Sequence, residues 1–134
     1  MINRKIEQRR QTYRAPISFP ISYIRGDKKP GGIGIVSNIS ATGLRFLTTG
    51  LIGANELLSV TFTLPASAVR EAMEKTGTKH EFKPMTLPVR VLASGNDKES
   101  KKHWYGVEFL PMPQSQADLI YRFVHLSQIP KSQN

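Results

Sequence analysis

Apolar and polar residues alternate in short runs along most of the chain, the period-two signature of strands that bury one face. In Ile17-Ser18-Phe19-Pro20-Ile21-Ser22-Tyr23, the residues Ile17, Phe19, Ile21 and Tyr23 share a side. Pro20 has no N–H to give to a ladder, so this first strand is expected at a sheet edge or a bulge. Residues 25–32 include Gly26, Asp27, Pro30, Gly31 and Gly32 and predict a turn, after which residues 33–39 read as the returning strand. A third strand starts after Gly43, with Leu44 and Phe46 alternating against Arg45, and a fourth sets Leu58, Val60, Phe62 and Leu64 on one face. A fifth points Leu87, Val89, Val91 and Ala93 inward. A polar loop over residues 95–102 then leads to a sixth, with Tyr105, Val107 and Phe109 facing the core.

Two segments leave this period. Residues 67–75 are rich in helix formers, follow Pro65 and stop before Gly77, which predicts a short surface helix within a long connection over residues 65–83. After Pro113, the residues Leu119, Ile120, Phe123 and Val124 recur at helical spacing, which predicts a helix reaching Ser127 whose apolar face closes the core. Six short strands with turn signals between them and a terminal helix make this a mainly β chain, folded as a small barrel or sandwich. At 134 residues it holds one core. Residues 1–16 are expected to form a flexible basic segment, residues 17–127 the barrel with its helix, and residues 128–134 a polar tail.

Composition narrows the function. Without cysteine there is no disulfide framework and no thiolate nucleophile, as suits a reducing compartment. The N-terminal charges are followed by no apolar stretch and no window is long enough to span a bilayer, so a cytoplasmic location is expected. The 38–40 sequon is set aside on the same ground. Nineteen Lys and Arg against ten Asp and Glu leave a formal charge of +9, which favours an anionic partner: a nucleotide, a nucleic acid or an acidic membrane face. Arg4, Lys5, Arg9, Arg10 and Arg14 crowd the first fourteen residues with only Glu7 against them. Metalloprotease, Walker and nucleophile-elbow motifs are missing, and Gly32-Ile33-Gly34 lies within a hairpin without the helix a dinucleotide fingerprint needs. His80, His103 and His125 are scattered and read as structural. The chain is therefore expected to bind a ligand, with no catalysis, no cofactor and no metal.

Two short sets carry candidate chemistry. Arg10-Gln11-Thr12-Tyr13-Arg14 is an RxxxR preceded by Arg9, directly before the first strand. Planar guanidinium forks donate paired hydrogen bonds to phosphate or to the O6/N7 edge of guanine, which lysine does not match. Asn38-Ile39-Ser40-Ala41-Thr42-Gly43 closes the second strand and turns into the third. Strict alternation places the Asn38 and Ser40 side chains on one surface with Ile39 in the core, and Gly43 is free to take a positive φ where a ligand nears the backbone. Each set alone also fits a blander role, a solvated basic segment or a capped turn. Trp104 stands beside the inward residues of the sixth strand, placed either to pack or to stack on a base.

Together, RxxxR, a hairpin, (D/N)xSxxG, alternating strands, Gly106-Val107-Glu108-Phe109 and a terminal helix resemble the PilZ family from Arg9 to Ser127. The resemblance implies a six-stranded antiparallel barrel that binds cyclic di-GMP, with an N-terminal arginine segment that wraps over the ligand. It assigns Arg10 and Arg14 to guanine and phosphate contacts and Asn38, Ser40 and Gly43 to the opposite wall. It also implies that Arg9, placed directly before RxxxR, goes with capture of an intercalated ligand dimer. Position 38 is Asn where the pattern more often has Asp, which removes a charge and one acceptor. PilZ-like proteins act on partners in motility, attachment or polysaccharide export. The alternatives are a PilZ-like interaction module of pilus assembly without nucleotide binding, and a nucleic-acid-binding barrel.

Overall fold

The computed structural model describes residues 17–26 and 29–130. Six strands form a closed antiparallel barrel: β1 (Phe19–Arg25), β2 (Gly32–Ile39), β3 (Gly43–Thr48), β4 (Leu57–Phe62), β5 (Met85–Asp97) and β6 (Lys102–Phe109), in the spatial order β1-β2-β3-β6-β5-β4. A 3₁₀ turn at Ala66–Ala68 leads into helix α1 (Arg70–Thr76), and helix α2 (Gln114–Ser127) follows the last strand.

The apolar alternation read from the sequence lines the interior. Phe19, Ile21, Tyr23, Leu44, Phe46, Leu58, Val60, Leu87, Val89, Val91, Tyr105 and Val107 are all buried. Phe46 lies at the centre, with the Tyr23 and Tyr105 rings each 5.8 Å from it. Ile120, Phe123, Val124 and Leu126 of α2 join the same core, as do Val69 just before α1 and Ala72 within it, so the terminal helix stops one end of the barrel. Gly77 ends α1 in the left-handed conformation at φ 68°, the geometry glycine supplies without a Cβ clash. The Lys75 Nζ donates to the Pro130 carbonyl at 3.0 Å, tying the inserted helix to the segment after α2.

Three details depart from the expected pattern. β1 is not an edge strand, since it pairs with both β2 and β4. Pro20 is tolerated because pairing to β4 begins only at Ser22, and Pro20 has a partner in β2 alone. Ala93 points outward rather than into the core, because the register shifts between Val91 and Ala93 and the extra residue turns the strand over. The loop expected over residues 95–102 is mostly ladder. Gly95, Asn96 and Asp97 pair with Trp104, His103 and Lys102, and residues 98–101 alone make the turn. Asp97 holds that turn by accepting from the Ser100 amide and hydroxyl, which pulls its carboxyl below the ordinary value.

Candidate ligand-binding face

The turn at residues 38–43 is assembled by a second bulge. Val36 pairs with Phe46 and Asn38 with Arg45, so Ser37 is the extra residue, and its hydroxyl donates to the Arg45 carbonyl at 3.3 Å. The bulge leaves Ile39 in the core and sets Asn38 at the outward position opposite Arg45.

Ser40 does not share that surface. Strict alternation fails because β2 ends at Ile39, and Ser40 is 1% exposed inside the turn. Its Oγ accepts from the amides of Thr42 and Gly43 and donates to the Gly43 carbonyl, each at 3.2 Å, while its own amide donates to that carbonyl at 2.8 Å. The hydroxyl caps the turn and shapes the wall from behind.

Gly43 also serves a different purpose from the one expected. Among the described glycines only Gly77 has a positive φ. Gly43 is needed because a Cβ there would collide with the Val107 carbonyl oxygen of β6. The Thr42 carbonyl accepts from the Phe109 amide at 2.8 Å, so the turn is bound to the end of β6 as well.

Cross-strand register arranges the outer surface in rows. One runs Asn38, Arg45, Gly106, Ala93 across β2, β3, β6 and β5, and the row beside it runs Ile35, Leu47, Trp104, Gly95. The Trp104 indole covers the β5 backbone at Gly95, since a Cβ there would come within 2.6 Å of its Cε2. The Arg45 guanidinium rests on that ring, 3.9 Å from its centroid. Gly106 and Ala93 carry little or no side chain, so the row beyond Arg45 is a shallow floor. Next to it a cleft of about 580 Å³ opens between the turn and the end of the barrel, lined by Thr42, Gly43, Leu92, Glu108, Leu110 and Met112. That volume is in the range of small-molecule sites.

The structure thus brings together Asn38, the Ser40–Gly43 turn, Arg45, Trp104 and Glu108. Arg9, Arg10 and Arg14 lie outside the described residues. Sequence reading passed over Arg45 and Glu108, because nothing local marks an outward strand residue whose importance comes from its neighbours across the sheet. Two of the three histidines are occupied elsewhere: the His103 Nδ1 is 2.8 Å from the Asn96 Oδ1, and His80 leans on Phe82. A second opening of about 560 Å³, lined by Arg70, Met73, Lys79 and His80, lies beside α1 and away from the turn. Among the described residues no helix is long and apolar enough to cross a membrane.

A family model described as the PilZ domain matches residues 8–126. Among solved structures, the Bacillus subtilis inhibitor of motility, MotI/DgrA, superposes with a TM-score of 0.70 at 19% identity, covering 90% of this chain and 52% of its own. K. pneumonia MrkH in complex with c-di-GMP gives 0.63 at 12% identity, over 88% of this chain and 52% of MrkH. The PilZ domain of CeSA from a cellulose-synthesising bacterium gives 0.57 at 14% identity, over 85% and 96%. The chain therefore spans about half the length of MotI and MrkH and nearly all of the CeSA domain, and at these identities the likeness is one of fold. No curated protein matches by sequence.

Proposed function

This chain belongs to the PilZ domain family, and on that premise we propose that it is a receptor for cyclic di-GMP, which it binds on the outer face of β2, β3 and β6. The observation that carries the reading is the pairing of two motifs: RxxxR at Arg10 and Arg14 leads directly into β1, and the Asn38–Gly43 motif borders an open cleft of ligand size. Arg10 and Arg14 clamp phosphate and the guanine edge, and Asn38 meets a polar ring edge from the opposite side. Ser40 and Gly43 act on the ligand through the shape of the turn. Arg9 adds a third guanidinium, which suits a stacked ligand pair that concentrates four phosphates.

Binding draws the arginine segment onto the barrel and creates a surface for a protein partner, so the signal is an ordering step with no chemistry on the nucleotide. That partner belongs to motility, attachment or polysaccharide export, and the receptor works in the cytoplasm. MotI is named an inhibitor of motility and MrkH is described with c-di-GMP bound, which supports the reading for a chain of the same fold. Calorimetric titration with cyclic di-GMP beside GTP, GMP and a short RNA tests it. Saturable heat with cyclic di-GMP alone is expected, and binding of the RNA alone would replace the receptor with a nucleic-acid-binding barrel.

A further inference from the structure

We propose that Arg45 is a base-stacking residue of this site, held flat by Trp104 so that one guanine ring of the ligand closes over its second face. The inference rests on the receptor reading above. It starts from register: Asn38 and Arg45 are direct cross-strand partners, and such pairs have Cα atoms only about 4.5–5.5 Å apart. A base whose edge is held by Asn38 and whose ring extends across the sheet must therefore lie over Arg45, within one strand spacing.

Arg45 is prepared for that ring. Its guanidinium lies 3.9 Å from the indole centroid, and the indole is itself pressed onto the Gly95 backbone, where no side chain intervenes. A flexible arginine is thus turned into a flat, charged shelf at the cost of little further ordering when ligand arrives. Beyond it in the row stand Gly106 and Ala93, so nothing taller than a methyl group obstructs a planar ring. The finished arrangement is a four-layer stack of strand backbone, indole, guanidinium and base. Its guanidinium edge stays available to a phosphate oxygen of the same ligand.

The stack makes planarity the critical property, and charge alone does not supply it. Arg45→Ala removes both; Arg45→Lys keeps the charge and the aliphatic stem but loses the flat face. Arg45 stands at an outward position of β3, so each variant should fold, and a melting curve without ligand checks this. Cyclic di-GMP is titrated into wild type and both variants by calorimetry. The emission of Trp104, the sole tryptophan, is followed in parallel. The expected result is a loss of about ten-fold or more in affinity for Arg45→Ala, the scale of a desolvated cation–π or stacking contact, with Arg45→Lys weakened nearly as much. Wild-type emission should change in step with the heat. Wild-type affinity in both variants overturns the proposal, and so does full retention in Arg45→Lys with loss in Arg45→Ala, since charge would then suffice. Failure of the wild type to bind at all removes the receptor reading itself, a distinct result read from the first titration.

Discussion

Gly43 of β3 and Val107 of β6 meet backbone to backbone: the place a Cβ would take on Gly43 is filled by the Val107 carbonyl oxygen. Gly43 is buried, with Glu108 as its register partner and Leu44 opposite Val107, so the two strands cannot separate without opening the barrel seam. Gly43→Ala is expected to lower stability by about 1–3 kcal/mol, the usual cost of overpacking a well-filled site. Urea unfolding checks this, and an unchanged midpoint would mean that β6 yields at Val107.

Ser40→Ala should also reach the fold. Its hydroxyl accepts from the Thr42 amide and the buried Gly43 amide, and alanine removes that acceptor, while the Gly43 carbonyl keeps its bond from the Ser40 amide. A loss of about 1–3 kcal/mol in the same unfolding assay is expected. Weakened ligand binding with a wild-type melting temperature would instead put the hydroxyl on the ligand.

Acid should loosen the link between β1 and the loop before β4. The Arg25 Nε and Nη2 donate to the Glu56 carboxylate at 2.6 and 2.8 Å, and the Gly53 amide adds a third bond at 3.0 Å. The hydrogen bonds from Arg25 chiefly, against the opposing cost of burial, pull the Glu56 carboxyl from 4.5 to about 2. A depressed carboxyl contributes its stability in full above its unfolded value and loses it as pH falls through the folded one. The melting temperature should therefore fall between pH 4.5 and about 2 in wild type. Glu56→Gln should melt lower at neutral pH and show a flatter profile across that window. Parallel profiles for the two proteins would refute this account.

Arg10→Ala and Arg14→Ala should each weaken cyclic di-GMP binding by about 1–3 kcal/mol, the scale of one lost bidentate contact. Both precede the apolar alternation that opens at Ile17 in the sequence, so the melting temperature without ligand should barely move. Calorimetry on the two variants decides, and normal binding by either would make that arginine a bystander.

Stoichiometry tests Arg9. Two ligands per chain are expected for wild type, with Arg9→Ala tending toward one, and salt should weaken the wild type more steeply because it has more charge contacts to screen. Saturation of both proteins at a single ligand would sink the idea.

Much of the barrel was legible from alternation, because a strand that buries one face writes its period into its own residues. Ile17 to Tyr23 and Leu58 to Leu64 fall inside as read, and Gly77 and Pro113 punctuate the helices where expected. What escaped lies in features that only pairing creates. Ala93 went to the wrong face because a one-residue bulge is invisible in a run of apolar residues. Ser40 was expected on the same face as Asn38 because Asn-x-Ser spacing does not reveal that the strand ends between the two. Gly43 was ascribed to φ when the constraint comes from Val107, sixty-four residues away in sequence. Arg45 and Trp104 became a unit only once β3 and β6 were set side by side.

Closure of the barrel through β1 and β4 limits how this protein can be addressed. An open sheet offers a partner its unpaired N–H and C=O groups, and many adaptors recruit peptides by adding a strand. Here every described strand has a neighbour on both sides over at least part of its length, so that route is closed wherever the ladders run on both sides. A partner must read side chains: the isoleucines exposed at positions 24 and 33, the rows around Arg45, or the helices at the barrel's end. Such a surface can be rewritten by a few outward residues without disturbing the ladder, so the same barrel can serve different partners while its interior stays constant.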